Sequence, residues 1–166
     1  MNDKSTSPPV YLDTCVISGY VKEDMEPSDN DAFKKIVNMS QSKELLLCTS
    51  TVAKEEIKRL PIKYQTTHIE MYNTLQILKG SVTVWIDDDP KSTGYGNSVD
   101  DPDYLMLHKI LPDENDARHL FQAKKAGVHD FITVDSRTIL SRAEELENQY
   151  CLNVVSPSEF ITKFNV

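Results

Sequence analysis

Asp130-Phe131-Ile132-Thr133-Val134-Asp135 is a short apolar run that ends on an aspartate, and Ser136–Gln149 follows it with the spacing of a helix. The same arrangement opens the chain. Val10–Asp13 is an apolar run closed by an aspartate, and a short helix is expected over Thr14–Val21. Three further apolar runs, Glu44–Cys48, Ser81–Ile86 and Leu152–Val155, read as buried strands. Between these runs lie helical patterns over Asp29–Ser42, with Asp29 as N-cap, and over Thr51–Leu60, with caps available from Thr49, Ser50 and Thr51. Others cover Ile62–Lys79 with Gly80 as stop, Asp103–Leu111, and the stretch from Pro112 and Asp113 to Gly127. Ser156-Pro157-Ser158-Glu159 has the form of a capping box with proline at the first helical position, opening a last helix. Strands that alternate with helices pair in parallel through crossovers. The expected fold is therefore α/β: a three-layer α/β/α sandwich with a central, mainly parallel five-stranded sheet.

The 166 residues suit one domain, with residues 1–9 a frayed polar tail and residues 10–166 the folded unit. Hydrophobic residues make up 39% and charged residues 27%, enough for a real core. The net charge of −8 speaks against a protein that coats nucleic acid by broad electrostatic capture, but not against a site built from carboxylates. Cys15, Cys48 and Cys151 are widely spaced and odd in number, which fits a reducing compartment better than a disulfide framework. With no apolar leader and no long apolar span, the expected location is the cytoplasm.

In open parallel sheets, functional groups collect beyond the carboxyl ends of the strands. Asp13 and Asp135 stand there, and Asp116 lies in the first turn of the helix that feeds the fourth strand. Taken singly, each has a structural explanation: an aspartate at a strand-to-helix junction caps the helix, and one in a first turn is favoured by the helix dipole. Taken together, the fold brings two strand ends and one helix start to a single edge. Glu55-Glu56 is a fourth place. Val52, Glu56 and Leu60 share a helix face, so Glu56 is aimed inward, whereas Glu55 is placed to pair with Arg59 on the surface. Glu56 is thus the better candidate, with Glu55 as the alternative. Two unit charges about 5 Å apart repel by roughly 3 kcal/mol at an effective dielectric near 20. Clustered carboxylates therefore shift their pKa values or take up a cation, and oxygen-only ligands select hard ions such as Mg²⁺ or Mn²⁺.

Four segments resemble the PIN-domain family of nucleases. Tyr11-Leu12-Asp13-Thr14 is similar to the family's first motif, and Ser50-Thr51-Val52-Ala53-Lys54-Glu55-Glu56-Ile57 to its second. Asp116-Ala117-Arg118-His119-Leu120 with Ala123 and Gly127 resembles the third, and Phe131-Ile132-Thr133-Val134-Asp135 the fourth. The resemblance runs from Val10 to about Val155. It implies a PIN-like ribonuclease whose Asp13, Glu56, Asp116 and Asp135 hold one or two Mg²⁺ or Mn²⁺ ions. A metal-activated water would then cleave an RNA phosphodiester, leaving a 5′-phosphate and a 3′-hydroxyl. Many members are toxins of toxin–antitoxin pairs, so the resemblance further implies a homodimer and an antitoxin protein as partner. Cys15 departs from the polar residue often found after Asp-Thr. The long stretch between the second and third motifs, with Ile62–Lys79 and an acidic loop, departs from the small toxins. A catalytically weak PIN-like module that binds RNA or protein is the competing reading.

Other residues carry weaker signals. His119, three residues after Asp116, is within reach of the acidic edge, yet a core histidine bonded to backbone is the simpler expectation. Asp87-Asp88-Asp89 and Asp100-Asp101-Pro102-Asp103 lack EF-hand spacing and read as solvated loop. Cys15 starts a helix, where thiolates are favoured, but has no neighbouring base in sequence. Lys54, Lys58, Arg59 and Lys63, with Arg118, Lys124, Lys125 and Arg137, read equally as solvated helix faces or as a rim for RNA phosphates. Trp85 and Tyr95 are able to stack on bases, although Trp85 on a strand reads as core.

Overall fold

The computed structural model describes residues 9–77, 85–86 and 101–164. Its elements are β1 (Pro9–Leu12), α1 (Thr14–Lys22), α2 (Pro27–Gln41), β2 (Leu46–Ser50), α3 (Thr51–Arg59) and α4 (Ile62–Ile77). There follow β3 (Trp85–Ile86), α5 (Pro102–Ile110), α6 (Glu114–Lys125), β4 (Asp130–Ile132), α7 (Ala143–Tyr150), β5 (Asn153–Val155) and α8 (Pro157–Phe164). The fold is α/β, and every strand pairing is parallel. The strand order is β3-β2-β1-β4-β5, so β1 lies in the middle. Four strands, β2-β1-β4-β5, form the continuous ladder. Of the expected third strand, Trp85 and Ile86 pair with Thr49 and Ser50, and residues 81–84 lie outside the described residues. So do residues 87–100, which take in Tyr95 and nearly all of the acidic loop.

Register explains why both faces of the sheet are buried. Tyr11 stands level with Cys48 and Phe131, and Phe131 with Val154. These four belong to one hydrophobic cluster, with Tyr104 and Leu107 of α5, Leu120 and Phe121 of α6 and Leu146 of α7. The alternate residues Val10, Leu12, Leu47, Ile132 and Val155 belong to a second cluster. It holds Val16 and Ile17 of α1, Phe33 and Ile36 of α2, Tyr72 of α4, and Phe160 and Ile161 of α8. Successive side chains on a strand point to opposite faces, so the two clusters cover the two sides of one sheet. Such strands must be apolar along their buried length, which is why Val10–Leu12 and Phe131–Ile132 lack a charged residue.

Local chemistry sets the boundaries. The capping box forms as expected: Ser156 N–H donates to Glu159 Oε2 at 2.9 Å, and Glu159 N–H to Ser156 Oγ at 3.3 Å. Asp113 caps α6 by accepting from the amides of Asn115 and Asp116, and Gly127, at φ +69°, lets the chain turn away after it.

Three expectations need correction. Asp29 does not cap α2, which starts earlier at Pro27, a residue whose fixed φ suits a first helical position. Its carboxylate instead accepts from Ser158 N–H at 3.0 Å and Ser158 Oγ at 2.6 Å, tying α2 to the start of α8. The helix expected over Ser136–Gln149 is shorter: residues 136–139 form a turn, Leu140–Arg142 a 3-10 turn, and α7 begins at Ala143. Asp135 Oδ1 accepts from the amides of Arg137 and Thr138, both at 3.0 Å, as a cap does, but the segment it caps passes through these turns before α-helix begins. Ser50 stands at the N-cap of α3 without a side-chain cap bond, because its hydroxyl accepts from Tyr11 Oη at 2.7 Å.

Candidate active site

In open parallel sheets, ligands sit where neighbouring strands send their chains to opposite sides, here beyond the carboxyl ends of β1 and β4. Asp13 directly follows β1, and its backbone N–H donates to Ile132 O of β4 at 3.0 Å. It occupies the N-cap position of α1, yet its side chain makes no capping bond. Instead Oδ2 accepts from Thr133 Oγ1 at 2.7 Å and from Cys15 Sγ at 2.9 Å. The simple capping explanation therefore fails for Asp13: its carboxylate is buried and held across the sheet.

Asp13, Glu56, Asp116 and Asp135 all line one cavity of about 260 Å³, together with Thr14, Cys15, Ser18 and Leu60. Four separate segments supply those carboxylates: the end of β1, the middle of α3, the first turn of α6 and the turn after β4. Asp135 combines both roles considered for it, since Oδ1 caps the turn while Oδ2 accepts from Thr138 Oγ1. The same hydroxyl lies 3.0 Å from Asp116 Oδ2. One hydroxyl hydrogen cannot satisfy two carboxylates, so a second proton within this trio completes both contacts. Asp116 is the group suited to hold it. Burial first, then the charges of Asp13, Asp113 and Asp135, push its carboxyl up to about 7.

Of the glutamate pair, Glu56 faces the cavity and Glu55 does not. Glu55 pairs with Arg118 at 3.0 and 3.4 Å, and not with Arg59 as helix spacing suggested, because α6 brings a guanidinium within reach of α3. Glu56 Oε2 lies 3.0 Å from His119 Nε2. Burial raises the Glu56 pKa, but the His119 hydrogen bond and charge outweigh it and hold the carboxyl below its ordinary value.

His119 corrects the simpler expectation for it. The ring is buried at 1% exposure and its bonds run to side chains: Nδ1 to Tyr11 Oη at 2.7 Å, Nε2 to Glu56 at 3.0 Å and to Thr14 Oγ1 at 3.4 Å. Asp13 Oδ1 stands 3.9 Å from the same nitrogen. Tyr11 donates onward to Ser50, so its oxygen is open to a proton from Nδ1. With Nε2 donating to Glu56, that pattern describes a ring protonated on both nitrogens. Burial lowers the His119 pKa, but Glu56, Asp13 and Asp116 together raise it above the ordinary value. Position 119 was visible in sequence only through its three-residue spacing from Asp116; nothing local signalled Tyr11 and Ser50 as partners.

Cys15 is a wall residue. Burial first, then Asp13, drives its thiol pKa well up, so a thiolate nucleophile is disfavoured. Part of the expected basic rim is paired with acids: Lys124 with Asp103 at 3.0 Å, Lys125 with Asp101 at 2.9 Å and Arg118 with Glu55. Lys58 and Arg59 are exposed in the last turn of α3, just before Leu60 at the cavity.

The donor set is all oxygen and anionic, which is the chemistry of a hard divalent ion. Among the described residues, however, no three His, Cys, Asp or Glu side chains close on a common point as a ready ligand cage. Protein donors hold the carboxylates instead: Thr133 binds Asp13, Thr138 binds both Asp116 and Asp135, and His119 binds Glu56. The residue types and the mutual repulsion at Asp116 fit a cation, whereas their spacing does not by itself define one. No family model and no curated protein matches the chain. Among the described residues, no helix is long and apolar enough to cross a membrane.

Proposed function

We propose that this chain is a PIN-like, three-layer α/β/α ribonuclease that depends on Mg²⁺ or Mn²⁺. The observation that carries the reading is the meeting of Asp13, Glu56, Asp116 and Asp135 in one cavity at the carboxyl ends of parallel strands. RNA as substrate follows from the sequence resemblance, as do a homodimer and a small antitoxin protein reaching the same cavity. A divalent ion bound there would neutralise phosphodiester charge and activate water for attack.

The chain's own residues do the rest. Asp13, Asp116 and Asp135 would present oxygens to the ion, with Glu56 as the fourth carboxylate. Thr133 and Cys15 hold Asp13 by one oxygen, and Thr138 holds Asp116 beside Asp135. Asp116 gains or loses a proton near neutral pH, so it is the carboxyl best suited to exchange one during hydrolysis. Lys58 and Arg59 stand where substrate phosphates would approach.

The absence of a ready three-ligand cage among the described residues favours a second reading, a weakly catalytic module that binds RNA or protein. One experiment separates them. Single-stranded and structured RNAs are incubated with Mg²⁺ or Mn²⁺, wild type beside Asp13→Asn. The nuclease reading expects EDTA-sensitive products with 5′-phosphates from wild type alone. RNA binding without cleavage by wild type supports the module, and equal cleavage by Asp13→Asn refutes the assigned site.

A further inference from the structure

We propose that Ser18 is a specificity residue of the candidate active site: its hydroxyl, fixed by the buried ring of His68, accepts a hydrogen bond from a ribose 2′-hydroxyl where the strand leaves the acidic cavity. The inference rests on the ribonuclease reading above and deepens it by naming the group that tells RNA from DNA.

The pair joins two helices. Ser18 Oγ, on α1, lies 2.8 Å from His68 Nε2, on α4, and Nδ1 of the same ring lies 2.8 Å from Tyr64 O, one turn earlier on α4. A backbone carbonyl only accepts, so Nδ1 carries the hydrogen and donates it. His68 is fully buried, and both of these partners are uncharged. A buried charge without a counter-ion is costly, so the ring is neutral and Nε2 accepts. Ser18 is therefore the donor of the pair, and its one hydrogen is engaged inside the fold. Its oxygen has only lone pairs left to offer, and donation to the imidazole makes them stronger acceptors. Ser18 itself is only half-buried and lines the acidic cavity. It also lines a second cavity of about 480 Å³ and, with Cys15, forms the wall common to both. A strand that passes from one cavity to the other meets this hydroxyl. Thr14, Ser18 and Lys22 follow each other along one face of α1, about 6 Å per step, and lead from the first cavity to the second. The second cavity sets Asp24, Glu26 and Asp29 against Lys22 as the cation among its lining residues. Such walls do not capture phosphate by charge. Acceptor-rich walls select ligands that bring donors, and RNA carries one more hydroxyl donor on every sugar than DNA does.

The test uses the full chain, Mn²⁺ and one cleavable RNA sequence in which each 2′-hydroxyl in turn is replaced by hydrogen or by fluorine, neither of which donates. Cleavage is read as kcat/KM, and binding is read in parallel as Kd by fluorescence anisotropy. Wild type is expected to lose about 3- to 10-fold at one position with either replacement, the effect of one neutral hydrogen bond. Ser18→Ala should be poorer than wild type on the all-ribose strand by the same factor, and indifferent to replacement at that position. Alanine suits a helix interior, so this variant keeps its fold, which circular dichroism checks. His68→Gln, whose amide oxygen accepts from Ser18 in place of Nε2, keeps the positional penalty, whereas His68→Leu weakens it. The Ser18→Ala comparison decides the case if His68→Leu does not fold. A merely structural tie between α1 and α4 would lower the Tm of these variants and leave the positional penalty as in wild type, which overturns the inference. No penalty in wild type at any position overturns it too, while the ribonuclease reading stands. A wild type that neither binds nor cleaves RNA removes both.

Discussion

Thr133 Oγ1 donates to Asp13 Oδ2 at 2.7 Å, joining the ends of two adjacent parallel strands across a separation of 120 residues. The bond is buried and its acceptor is a carboxylate, so it belongs to the stronger class of side-chain hydrogen bonds. Thr133→Val keeps the side-chain shape and removes the donor. It is expected to destabilise the fold by about 1–3 kcal/mol and to lower RNA cleavage, while Thr133→Ser restores both. Urea unfolding at neutral pH provides the measurement, and a valine variant as stable as wild type would show that the bond contributes nothing net.

Asp116 makes stability depend on pH in a direction opposite to most acids. Its carboxyl is pushed up to about 7 in the folded chain, so the folded state holds the proton more tightly than the unfolded state. That contribution is complete below the ordinary aspartate pKa, falls as pH rises, and is lost once pH passes the folded value of about 7. Asp116→Asn removes the penalty. After discounting for its partial exposure, the variant should gain on the order of 1–2 kcal/mol at pH 8 relative to its difference from wild type at pH 4. Urea midpoints at both pH values check this, and a difference that does not vary with pH would contradict it.

The neighbouring glutamates should behave differently. Glu55 meets Arg118 at the surface, where an ion pair is worth about 0–1 kcal/mol, so Glu55→Ala should be nearly silent. Glu56→Ala leaves the buried His119 ring without its carboxylate and should cost about 3 kcal/mol. Thermal unfolding of the two variants side by side decides it, and equal losses would mean that His119 finds another acceptor.

Chelation offers a test independent of catalysis. A ligand that binds only the folded chain at about 100 times its Kd stabilises by roughly 2.7 kcal/mol. Saturating Mn²⁺ should therefore raise the Tm of wild type, EDTA should reverse the rise, and Asp13→Asn should show neither. A Tm of wild type that ignores Mn²⁺ would count against the cation.

The alternation of strands and helices was legible because it depends on local periodicity. The capping box at Ser156–Glu159 and the helix opened by Pro112 and Asp113 were read within a residue or two for the same reason. The helix over Ser136–Gln149 was overextended, since helical spacing does not reveal that the segment capped by Asp135 runs as a turn and a 3-10 turn before Ala143. Asp29 was misread because its true partner, Ser158, is 129 residues away. Glu56 was rightly turned inward by helix geometry, whereas the Glu55 partner was missed because it comes from α6.

What the sequence by itself determined is the order of elements, their apolar faces and the presence of carboxylates where strands end, all consequences of short-range sterics and of burying apolar side chains. What only the tertiary structure decided is which oxygen meets which donor: Asp13 with Thr133, Asp116 and Asp135 with one hydroxyl of Thr138, and Glu56 with a histidine held by Tyr11 and Ser50. Those pairings depend on strand register and on the packing of α3 and α6 beside the sheet. A shift of a single residue in register would carry each side chain to the other face, and no pattern along the chain encodes distances across it.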